Sequence, residues 1–157
     1  MEAKQILEQC IKEEERYQFS SFSRADALKL GMLLYEESVK RGTPVAVEIR
    51  MNHLLVFCFY PEGHSENSAS WLRSKAATVD MLHQSSLHLG AQMQVSGQSA
   101  ERMRIPVPEC CIYGGGFPLT IRGTGVIGSI CVTGFPHMED HQLIIDTLEK
   151  HMAEFEE

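Results

Sequence analysis

Apolar and polar positions along this chain follow a helical period, switch to an extended one, and switch back twice. Residues 2 to 16 place Ile6, Leu7, Cys10 and Ile11 on one side of a predicted helix. The other side is charged and ends in Glu13-Glu14-Glu15-Arg16, which reads as a solvated face. A connector over 17 to 22 follows, with Phe19 and Phe22 expected to plug the core. Ser23 and Asp26 have the spacing of a capping box, opening a second helix whose stripe is Ala25, Leu28, Met32, Tyr35 and Val39. Arg41-Gly42 closes that helix and Pro44 prevents its continuation.

Val45, Val47 and Ile49 then alternate with Ala46, Glu48 and Arg50, the period of a half-exposed strand. After a turn at Met51-Asn52-His53 the run Leu54 to Tyr60 is apolar on both faces, which predicts a covered strand at or near the sheet centre. His64-Ser65-Glu66-Asn67 supplies caps for a long helix from Ala69 to about Leu89, with Gly90 as its stop. Leu72, Ala76, Val79, His83 and Ser86 share one face of it, where His83 is expected as a satisfied structural histidine. Residues 91 to 112 are irregular, and Pro106 and Pro108 forbid a long helix there. The stretch from Tyr113 to His141 organises the rest: Gly114-Gly115-Gly116, strands over 117–122 and 126–133 reversed at Gly123-Thr124-Gly125, then a helix with Pro136 near its first turn and Glu139 and Asp140 at its positive end. The final stripe is Ile144, Leu148, His151 and Phe155. The sum is an antiparallel sheet with helices packed on it, with the sheet centre and any small-molecule pocket at the glycines.

Composition narrows the function classes. At 157 residues, 43% hydrophobic and 22% charged, the chain is most simply one globular domain over 1–157, with 1–20 as an N-terminal helix and connector. A formal net charge of −7 with no local Lys/Arg run argues against a nucleic-acid partner. The N-terminus lacks the pattern of a signal peptide, and no apolar run reaches the ~20 residues that span a bilayer. Five irregularly spaced cysteines fit neither a disulfide framework nor a zinc motif. The expectation is a cytoplasmic protein with no membrane partner.

Three groups carry candidate chemistry. Trp71 beside Arg73 and Lys75 suits a flat anionic ligand, through stacking and charge-assisted hydrogen bonds, with positions 71 and 75 on one helix face and 73 pointing away. The alternative is Trp71 in the core or a subunit interface, with both cations in surface ion pairs. Gly114, Gly115 and Gly116 can offer backbone N–H groups to an anion, or simply permit a turn and strand crossing. Asp140-His141 pairs an acid that stabilises a helix start with a histidine able to bind a ligand or carry a proton. Cys110-Cys111 is read as a pair of core or surface thiols. No Ser-His-Asp, zinc or paired-carboxylate arrangement is set by spacing, so whether the chain is an enzyme, with His141 or a cysteine as reactive group, is left open.

DALKLGMLLYEES, NSASWLRSK, YGGGFP, GVIGSICVTGFP and the following Asp-His resemble the haem-degrading-domain family, the GlcG/HbpS-like group and more closely its uncharacterised cytoplasmic branch. The resemblance runs over roughly residues 20 to 155. It implies a profilin-like α/β (α+β) fold with a five-stranded antiparallel sheet and helices on both faces, homo-oligomers, and binding of haem or another small ligand. The chain departs from the pattern where Ser74 separates Arg73 from Lys75 and where Cys110-Cys111 precedes the glycines. Residues and resemblance together predict a small-ligand-binding protein using Trp71, Arg73, Lys75, Gly114, Gly115, Gly116 and His141, with haem as the cofactor the family suggests. An oligomeric interaction protein without catalysis is the alternative.

Overall fold

Local capping sets the helix boundaries. In the computed structural model, which describes residues 1–156, Ser23 accepts a hydrogen bond from the Asp26 N–H while Asp26 accepts one from the Ser23 N–H, the reciprocal box expected at the start of α2. The elements are α1 (Ala3–Arg16), α2 (Arg24–Lys40), β1 (Ala46–Met51), β2 (Leu54–Phe59), α3 (Glu66–Leu82), α4 (Ser86–Ser96), α5 (Ala100–Met103), β3 (Gly116–Ile121), β4 (Gly125–Thr133) and α6 (His137–His151), with a final 3-10 turn at Met152–Phe155. Glu157, the last residue of the predicted domain, lies outside the described residues.

The sheet is antiparallel, in the order β2-β1-β4-β3. Val47 faces Val132 and Ile49 faces Ile130 across β1 and β4, and Phe117 faces Ile130 across β3 and β4, so one side presents a continuous apolar layer. That layer packs with Leu30 and Leu34 of α2, Leu143, Ile144 and Leu148 of α6, and Phe19, Phe22 and Phe155. Each fully buried side chain of this size contributes about 1.5–3 kcal/mol of transfer free energy. The opposite side is thinner: Ala46 and Cys131 meet Leu72 and Ala76 of α3. Helices therefore cover both faces of an α+β fold, with α1 and α4 packed together beside α3.

Several expectations need correction, among them the α2 stripe, since Leu28, Met32 and Val39 are exposed and Leu30 and Leu34 are the buried positions. The described residues form four strands, not five: residues 91 to 112 hold the second half of α4 and the short α5. The nearest substitute for a fifth strand is the connector, where the Phe19 N–H donates to the Thr120 carbonyl and the Arg122 N–H donates to the Phe19 carbonyl, a single parallel bridge on the outer edge of β3. Next, β2 is an edge strand, not a central one. Phe57 tucks under α2 at Gly31 and Phe59 meets Tyr35, but Leu54, Leu55, Cys58 and Phe59 remain exposed.

The predicted helix over 69–89 is two helices. His83 adopts the left-handed conformation (φ 58°) that ends α3, and Ser85 caps α4 by accepting from the His88 N–H. His83 is exposed at that corner and is not a core histidine. Gly90 lies inside α4, where a Cβ would stand 2.1 Å from the Ile112 carbonyl oxygen; the left-handed stop is Gly97 (φ 69°). Last, the acidic run of α1 is not simply solvated: Glu13 is buried, and Glu14 accepts from the Ser85 N–H and meets His88 at 3.0 Å. The final helical stripe also splits, since Ile144 and Leu148 are buried in α6 whereas Phe155 belongs to the 3-10 turn.

Candidate functional site

Spacing on α3 decides what each candidate touches. Leu72, Ala76 and Val79 make its buried stripe, and Lys75 lies against that stripe, only 2% exposed. The Lys75 ammonium donates to the Val132 carbonyl at 2.8 Å and to Asp140 Oδ2 at 3.3 Å. The other Asp140 oxygen accepts from the Phe135 N–H at 2.9 Å. Burial pushes the Asp140 carboxyl up to about 6, while the Lys75 ammonium and the Phe135 N–H pull it down. The result is an enclosed ion pair that pins α3 to the start of α6.

The triple glycine lies against the same helix and serves that pair. At Gly115 (φ +122°) a Cβ would stand 2.4 Å from Lys75 Nζ, so a side chain there would displace the ammonium. The Gly114 N–H donates to His137 Nδ1 and the Gly116 N–H to Ser86 Oγ, both at 3.0 Å. Those two amides are committed within the chain, and the glycines act as a close-packing surface for Lys75. The preceding segment docks by the same logic: the Cys111 N–H donates to the Ser74 carbonyl and Thr78 Oγ1 donates to the Cys111 carbonyl. Cys110 and Cys111 are both buried, with thiols held above their ordinary value mainly by burial.

Trp71 is on the open side of α3, 42% exposed, and Arg73 is exposed with a loose 3.9 Å contact to Glu66. Thus the structure brings Lys75 and Gly114-Gly115-Gly116 together but sends Trp71 and Arg73 to the surface. What Trp71 meets instead is Tyr113, edge to face at 6.2 Å between ring centroids, and Tyr113 meets His137 at 5.2 Å. This row of rings bridges two depressions. One, of about 600 Å³, is lined by Trp71, Arg73, Ser74 and Pro108; the other, of about 780 Å³, by Leu87, Gly90, Met93, Tyr113, His137 and Met138. Because His137 Nδ1 accepts from Gly114, its proton sits on Nε2, and burial with the nearby Lys75 charge and His141 lowers its basicity, leaving a neutral donor. Tyr113 and His137 were not among the site residues expected from sequence, although Tyr113 opens the quoted YGGGFP motif and His137 directly follows the Gly-Phe-Pro before α6.

His141 faces away from this row. It is buried, with Nε2 2.7 Å from Glu13 Oε1, its ring edge-on to Phe117, and Nδ1 without a hydrogen-bond partner among the described residues. Its neighbour in sequence, Asp140, turns to Lys75, so the two adjacent residues serve different partners, as their divergence on a helix requires.

A family model described as "Haem degrading protein HbpS-like" matches residues 22–149. The chain belongs to this HbpS-like family. A UPF0303 protein of Paraburkholderia xenovorans is 35% identical over 136 residues, covering 86% of this chain and 82% of the relative. A UPF0303 protein of Yersinia pestis is 32% identical over 149 residues, covering 94% and 87%. Among solved structures, Ybr137w superposes with a TM-score of 0.85 at 22% identity over 94% of this chain and 88% of that one. HbpS gives 0.66 at 19% over 85% and 92%, and the haem complex of PduOC gives 0.69 at 19% over 82% and 94%. At these identities the three structural likenesses establish the HbpS-like fold. No helix among the described residues is long and apolar enough to cross a membrane.

Proposed function

We propose that this chain is a small-molecule-binding protein that takes a flat anionic ligand of the haem class at the Trp71–Tyr113–His137 row. The observation that carries the reading is that row itself: three rings in edge-to-face contact, Trp71 and Tyr113 half open to solvent, beside a cleft of about 780 Å³. Exposed aromatic surface of this kind stacks on planar ligands. The His137 Nε2–H and the Arg73 guanidinium are the donors for acidic groups on such a ligand. Lys75 packs against Gly115 and Gly116, which follow Tyr113 and Gly114 in the chain, and His141 is closed off by Glu13. The family description and the haem complex of the PduOC neighbour support haem as the first ligand to try. When bound, haem would supply its own redox chemistry; the residues named here bind and orient it.

The test is a titration with haem, read by the Soret band and by quenching of Trp71, the one tryptophan. A parallel titration with iron-free protoporphyrin separates stacking from iron ligation. Binding of both, weakened in Trp71→Ala, Tyr113→Ala and His137→Ala and unchanged in Phe59→Ala, is the expected result. Absence of binding by the wild-type chain sinks the reading.

A second reading, compatible with the first, is a homo-oligomer built on β2. Leu54, Leu55 and Phe59 are exposed on an unpaired sheet edge, an arrangement that soluble proteins ordinarily cover. Sedimentation velocity should show an assembly that Phe59→Arg dissociates; a wild-type monomer at high concentration would rule it out. Cytoplasmic residence fits five unpaired cysteines, since thiols stay reduced there.

A further inference from the structure

We infer that Cys10, Glu13 and His141 form a binding site for a divalent transition cation of the zinc class, a function separate from the ligand row and not dependent on it. Cys10 and Glu13 share one face of α1, at i and i+3, and His141 reaches them from the first turns of α6. All three are buried, and one ligand atom from each lies within 4.8 Å of the other two; no other trio of this kind occurs among the described residues. Ligands on a tetrahedral zinc ion, bound at about 2.0–2.3 Å, sit about 3–4 Å apart, so only a small contraction is required. One sulfur, one oxygen and one imidazole nitrogen is a donor set that borderline cations favour.

Charge and proton balance agree with this. Without a cation, the buried Glu13 carboxylate meets the His141 imidazole at 2.7 Å and accepts from Gln9 Nε2 at 3.3 Å, beside the buried Cys10 thiol. With a dication, one thiolate, one carboxylate and a neutral imidazole sum to zero, which suits an enclosed site. The Cys10 thiol proton leaves for solvent, and the imidazole proton moves from Nε2 to Nδ1. That second nitrogen is able to accept it, being buried with no donor aimed at it, whereas His137 Nδ1 is already taken by the Gly114 N–H. A void of about 50 Å³, lined by Cys10, Glu13 and His141 among others, leaves room for water at the fourth position. The void shares Met1, Ile6, Leu87 and Met138 with the 780 Å³ cleft, which gives the cation a route from solvent.

Titration of the metal-stripped full chain with Co²⁺ tests this. One equivalent should produce a thiolate-to-cobalt charge-transfer band in the near ultraviolet, and Zn²⁺ should abolish it by displacement. Cys10→Ser should lose the band, His141→Asn and Glu13→Gln should weaken binding, and Cys111→Ser should leave it intact. X-ray absorption on the zinc-loaded wild-type protein provides a check that needs no variant: one sulfur at about 2.3 Å with nitrogen or oxygen neighbours. No band in the wild type at excess Co²⁺, a band that survives Cys10→Ser, or a zinc shell without sulfur overturns the proposal. Haem binding is read separately, in the same protein without added metal, so either result stands alone.

Discussion

Arg73 and Lys75 are cations two positions apart on one helix, and they have opposite fates. Arg73 has a side chain 59% exposed and reaches Glu66 only at 3.9 Å, whereas Lys75 is enclosed by Gly115, Val132 and Asp140. An exposed pair of this kind contributes little, because water screens it and ordering two long side chains offsets the attraction. The buried pair is different in kind: deleting either side chain strands the other in the interior without its hydrogen-bond partner. A helix face, not a residue type, therefore divides the candidate ligand contacts from the internal scaffold.

The comparison is broken most severely by Lys75→Ala, which should destabilise the fold by about 3–5 kcal/mol in urea unfolding, while Lys75→Met combined with Asp140→Leu should recover much of that loss. The next effect is one of pH. The Asp140 carboxyl has an ordinary value of 3.8, raised to about 6 in the fold, so the folded chain holds this proton more tightly than the unfolded chain. Its contribution is complete below about 3.8 and is lost as pH rises through about 6, on the order of 3 kcal/mol across that window. Unfolding free energies from urea titrations between pH 4 and 7 should fall, relative to Asp140→Asn, by about that amount; parallel curves for the two proteins would refute the assignment. Smaller again is Trp71→Ala, which should weaken porphyrin binding by about 1 kcal/mol, roughly fivefold in Kd, with little change in unfolding. Arg73→Ala should move stability by no more than about 0.5 kcal/mol. A large unfolding effect there would erase the distinction between the two faces.

Much of this architecture was readable from periodicity and caps: the box at Ser23 and Asp26, the β1–β2 and β3–β4 hairpins, and the placement of the glycines against the tryptophan-bearing helix. What failed did so for physical reasons. Leu54 to Tyr60 reads as a central strand because an apolar pattern reports that both faces want cover, without saying whether the same chain supplies it. The break at His83-Gln84-Ser85 is silent because a histidine, and not the usual glycine, takes the left-handed position, and because the Glu14 that satisfies the Ser85 N–H is distant in sequence. Glu13 looks like one member of a solvated run until α6 brings His141 against it. Lys75 and Trp71, at i and i+4, share a helix face only loosely, and the glycines select which one is enclosed.

The segment before residue 22, where the family match begins, has its own consequence. Its Phe19 backbone occupies the rim of β3, its Glu14 holds the α3–α4 corner, and its Glu13 sits on the α6 imidazole. Trimming the chain back to the shared family boundary would therefore open a strand rim and leave two histidines without their acids. For this member of the family, α1 and the connector pack as part of the same core as the sheet and α6.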